Sequence, residues 1–75
     1  MSDMQDFRAD WCAEIMLDAI AANHMMTRHQ LLRLAREQGY GAAVRRVALA
    51  RAERKCDLSE ILIGGRAITV LTAAP

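Results

Sequence analysis

Cys12, His24, His29 and Cys56 are the side chains that could hold a transition metal, and zinc is the metal that a mixed thiolate–imidazole set would suit. Their order has none of the short paired spacings that bring such ligands together, so neither a metal site nor any other cofactor is expected. Asp10, Glu14 and Asp18 recur at four-residue steps, which lines three carboxylates along one side of a helix. Acid–base catalysis would need an apolar pocket to lift one of their pKa values, and none is foreshadowed, so the ladder reads as a solvated face. Gly64-Gly65 opens no helix and is not followed by Lys-Ser/Thr, so it is no phosphate loop. Without a catalytic constellation, the chain is read as a non-enzyme that works by binding.

Charge points to what it could bind. The formal net charge is only +1, but it is unevenly spread. Residues 1–26 carry Arg8 against five acids, a net −4; residues 27–55 carry eight cations against Glu37 and Glu53, a net +6; residues 56–75 sum to −1. Seven of the eight central cations are Arg, whose planar fork suits phosphate oxygens and guanine edges. The same residues equally suit the solvation of exposed helix faces, and charge alone does not separate the two readings.

These residues must be positioned by a small body. Seventy-five residues make a single domain over 1–75 with a thin core, a size at which dimerisation or partner binding often adds stability. A composition 53% hydrophobic and 25% charged, with one Pro, is that of a globular chain rather than a disordered one. No run of about 20 apolar residues is present, so no membrane span is expected. The acidic start lacks the form of a signal peptide, which implies a cytoplasmic protein with Cys12 and Cys56 as reduced thiols.

The periodicity predicts a mostly α, α+β fold: helices over about 6–23, 27–38 and 42–55, then a hairpin over about 58–71. In the first helix Cys12, Ile15, Met16, Ala19 and Ile20 share a face, with Trp11 beside them as a core anchor. Thr27-Arg28-His29-Gln30 has the form of a capping box, with Met26 and Leu31 spaced as a hydrophobic staple. Leu31, Leu32, Leu34 and Ala35 then face inward, and Gly39 ends the second helix. In the third helix Val44, Val47, Ala48 and Ala52 are the inward residues. Gly64-Gly65 reads as a two-residue hairpin turn that sets Ile63 opposite Arg66, Ile61 opposite Ile68, and Ser59 opposite Val70. Apolar residues then fall on both faces of the hairpin, which calls for cover on both, and a homodimer interface is one way to supply it. Ala73-Ala74-Pro75 reads as a frayed tail.

Helix, helix, tight Gly turn, basic helix and hairpin, with Ala35 four residues before Gly39, resemble the winged helix-turn-helix domains of small bacterial and phage transcriptional regulators over residues 6–71. The resemblance implies double-stranded DNA as partner, the third helix as the reader in a major groove, and the hairpin tip as a wing. It implies Arg28, Arg33, Arg45, Arg46, Arg51 and Arg66 as the DNA-binding residues. Val44 stands one position earlier than the family's apolar residue, so the turn must be one residue shorter than usual. Ala42-Ala43 offers no polar group to read bases, which leaves Arg45 and Arg46 as readers. The alternative on the same scaffold is a protein-binding module, a phage-type inhibitor or adaptor presenting its acidic first helix or its Arg block.

Overall fold

The structure, a computed structural model, describes residues 3–74. Its elements follow in the order α1 (Asp3–Asn23), β1 (Met25–Thr27), α2 (Arg28–Glu37), α3 (Ala42–Arg54), β2 (Cys56–Ile63) and β3 (Arg66–Ala73). Three helices and a three-stranded antiparallel sheet thus make the expected helix-rich α+β fold, with β3 central in the order β1-β3-β2. The short strand β1 was not foreseen. It pairs Met25, Met26 and Thr27 with Thr72, Leu71 and Val70. Ala73, expected in a frayed tail, joins β3 opposite Cys56 of β2; Pro75 lies outside the described residues.

Local chemistry accounts for the joints. Asn23 donates from Nδ2 to the Ala19 carbonyl at 2.8 Å and closes the last turn of α1. His24 then reverses the chain at φ 70°, a left-handed conformation that a non-glycine residue seldom takes. The capping box is formed as read: the Thr27 hydroxyl accepts from the Gln30 N–H at 3.1 Å, and the Gln30 side chain accepts from the Thr27 N–H at 3.0 Å. At the other end of α2, Tyr40 N–H donates to the Ala35 carbonyl and Gly39 N–H to the Arg36 carbonyl. This is a Schellman closure, and Gly39 takes its left-handed position at φ 91°. Gly41 then caps α3 with extended backbone.

The core is built largely from small residues. Ala9, Cys12, Ala13, Met16 and Ile20 of α1 meet Leu31 and Ala35 of α2, Val44, Ala48 and Ala52 of α3, and Leu71 of β3. Alanines on both sides let α1 and α3 lie close together, and their contact is the main one between helices. Three expectations fail here. Trp11 is 62% exposed and forms an edge-on pair with the equally exposed Phe7. Val47 is 44% exposed, its inward place being taken by Val44 and Ala48. Ile15, Ala19, Leu32 and Leu34 are only half-buried. In α1 the cause is rotation: contact with the alanines of α3 turns Ala9 and Ala13 inward and carries Trp11 out.

The hairpin keeps the predicted register, with Ile63 opposite Arg66, Ile61 opposite Ile68 and Ser59 opposite Val70, but runs two residues further at its base. Only that base is buried, through Val70 and Leu71 on opposite faces. Leu62 is 78% and Ile63 54% exposed at the far end, and the molecule measures 42 × 26 × 18 Å.

Candidate nucleic-acid interface

The central Arg block divides into two structural groups. Arg28 and Arg51 hold helices together. Arg28, at the start of α2, donates from Nε to Glu53 near the end of α3, 25 residues away. Arg51 of α3 donates to Asp10 of α1 at 2.6 Å. This second pair spans a groove of about 390 Å³ where Asp10 and Glu14 face Arg51, Arg54 and Lys55. Its charges largely neutralise one another.

The second group lines a different groove. Between α2 and α3 a cleft of about 410 Å³ is lined by His29, Leu32, Arg33, Arg36, Ala42, Arg45 and Arg46. Four guanidinium groups and an imidazole surround it, and among the described residues no carboxylate lines it. His29, Arg33 and Arg36 come from one face of α2 at steps of four and three, which is helical spacing. Ala42, Arg45 and Arg46 come from the first turn and a half of α3. Glu37 approaches Arg33 at 3.9 Å while both side chains stay well exposed, a pairing that water and salt screen strongly.

Arg45 is the half-buried cation of this cleft. It donates to the Tyr40 carbonyl, so its guanidinium pins the α2–α3 turn while lining the cleft floor. Arg8 sits over the other side of the same residue, 5.9 Å from the centre of the Tyr40 ring. Arg46 is exposed on the outer face of α3 with Ala43, Val47, Ala50 and Arg54. Arg66 is exposed at the hairpin tip, directly after Gly64 and Gly65, whose φ values of 58° and 79° are those of a tight hairpin turn.

Of the six expected site residues, Arg33, Arg45 and Arg46 therefore meet in one cleft, Arg66 stands apart on the hairpin, and Arg28 and Arg51 are engaged in interhelical ion pairs. His29 and Arg36 were missing from the expected set. Their signal was present in the four- and three-residue steps His29–Arg33–Arg36, which place all three on one side of α2.

Neither thiol lines the cleft. Cys12 is buried and Cys56 half-buried, and both are free. Burial pushes the Cys12 thiol above its ordinary value near 9.0, with Arg45 pulling more weakly the other way. Burial raises Cys56 as well, helped by the charge of Asp57. Among the described residues no three His, Cys, Asp or Glu side chains gather as a metal site, and no helix is long and apolar enough to cross a membrane. No family model matches the chain, and no curated protein or solved structure matches it either.

Proposed function

We propose that this chain binds double-stranded DNA as a small regulator of the winged helix-turn-helix kind. The observation that carries the reading is the acid-free cleft between α2 and α3, where His29, Arg33, Arg36, Arg45 and Arg46 converge. A duplex backbone is a dense row of phosphates, and a cleft with several Arg and no carboxylate is complementary to it. The Schellman turn at Gly39 and the hairpin that follows α3 directly support the resemblance at the level of element order. In this reading Arg46 faces a guanine edge in the major groove, while Ala43 and Val47 offer methyl groups to thymine. Arg66 reaches a phosphate or the minor groove from the wing. Arg28 and Arg51 act on stability more than on DNA.

The test is fluorescence anisotropy on a random-sequence duplex across a salt series. Phosphate contacts from the three exposed cations Arg33, Arg36 and Arg66 give a log–log slope of about −2.7. All six residues first implied by the resemblance would give a slope of about −5. Absence of binding at low salt would overturn the proposal.

One observation favours a second reading. The exposed Phe7–Trp11 pair on α1 is the type of aromatic anchor that protein interfaces use, and Asp10 and Glu14 flank it. A protein-binding module would form a stoichiometric complex lost in Trp11→Ala, whereas DNA affinity would be indifferent to that change.

A further inference from the structure

Among the described residues no strand pairs with the outer edge of β2, and we infer that this edge pairs antiparallel with β2 of a second copy of this chain. The inference rests on the hairpin and does not depend on DNA binding. β2 is eight residues long, contains no Pro, and among the described residues pairs with β3 alone. A long apolar strand edge of this kind is a template for strand addition.

The turn fixes which backbone groups are free. A two-residue turn closes on a hydrogen-bonded pair, here Ile63 and Arg66, and bonded and non-bonded pairs then alternate down the ladder. The odd-numbered residues of β2 spend their backbone groups on β3. Consistent with this, the Asp57 carbonyl faces β3 and accepts from the Thr72 hydroxyl at 3.5 Å. Cys56, Leu58, Glu60 and Leu62 thus direct their N–H and C=O groups to the open edge.

The side chains choose the partner and the register. Leu58 and Leu62 are exposed on one face of β2 and Ile63 on the other, with Ile61 half-buried beside it. A single occupant must cover both faces at once, and a second identical strand added edge-on does so. A two-fold axis through Glu60 would oppose two carboxylates, which is unfavourable. Centring on Ser59 would drive the tip of the second copy toward Lys55 and the end of α3. An axis at Ile61 avoids both: Ile61 meets Ile61, Glu60 lies across from Leu62, and Ser59 from Ile63. Asp57 then lies level with the glycine turn of the second copy, on the face that carries its Arg66. Opposite charges thereby face each other at both ends of the pairing, and the bare Gly64-Gly65 turn leaves Arg66 a clear path.

Sedimentation equilibrium on the intact chain should give a dimer. Glu60→Pro removes an edge-facing N–H that the β2–β3 ladder does not use, and should give a monomer with unchanged far-UV circular dichroism. Leu62→Lys, at a fully accessible position, should do the same should proline disturb the hairpin. In a Cys56→Ser background, Ile61→Cys should oxidise to a covalent dimer and Ser59→Cys should not, because only residue 61 opposes itself. A monomer at every concentration tested would overturn the inference, as would a dimer that survives both edge variants. A covalent dimer through Ser59→Cys in place of Ile61→Cys would overturn the register.

Discussion

Trp11 meets Phe7 edge-on along α1, with ring centroids 6.0 Å apart. Its indole, expected inside the core, stands 62% exposed against Phe7. Removing a large buried aromatic costs about 3–5 kcal/mol, whereas an exposed one is worth little. Trp11→Ala should therefore lower the unfolding free energy from urea titration by less than about 1 kcal/mol, and the native fluorescence of this single Trp should resemble that of the unfolded chain. Cys12 makes a second prediction at this scale. Its thiol is raised by burial, so the folded protein keeps a proton that the unfolded chain gives up first. That contribution is fully present below the ordinary thiol value near 9.0 and is lost as pH rises through the higher folded value. Urea midpoints should fall at alkaline pH, and the fall should be shallower in Cys12→Ala. The exposure of Trp11 was not legible because α1 is apolar on more than one side. Ile15 and Ala19 compete with Ala9 and Ala13 for the interior, and only the alanines of α3 decide between them.

Elements with a local signature were legible. The Thr27–Gln30 box, the Gly39 turn and the Gly64-Gly65 hairpin each depend on residues a few positions apart, and each formed as read. Strand β1 had no such signature. Three residues carry no period, and Met25–Thr27 is a strand only because β3 lies beside it. The cleft was half legible: Arg33, Arg45 and Arg46 were named from charge and resemblance, while the division of Arg28 and Arg51 into ion pairs needed the three-dimensional packing. Thr27 belongs to two elements at once, closing β1 opposite Val70 and capping α2. Thr27→Ala should cost about 1 kcal/mol through the cap. Circular dichroism with urea titration measures it, and the loss should appear in helix and sheet signals together.

At the scale of the molecule, charge is partitioned by geometry. One groove mixes acids with cations and the other is lined by Arg and His without an acid. Paired substitution separates these roles. Arg33→Ala with Arg46→Ala should weaken duplex binding by more than about tenfold at physiological salt and leave stability nearly unchanged. Arg28→Ala or Arg51→Ala should cost about 0.5 kcal/mol of stability, the range of partly exposed ion pairs, with a smaller effect on binding. Thermal unfolding and anisotropy on the same four proteins distinguish the groups, and equal binding losses from both would refute the partition.

The pairing of β1 with β3 also sets a timetable for biosynthesis. Met25 finds its neighbour in Thr72, so the strand that follows α1 waits for β3 to be made. Until residues 66–73 are present, the sheet that completes the core has no central strand. Both pairings of the sheet run through β3, so a nascent chain stalled before Arg66 would lack the sheet altogether.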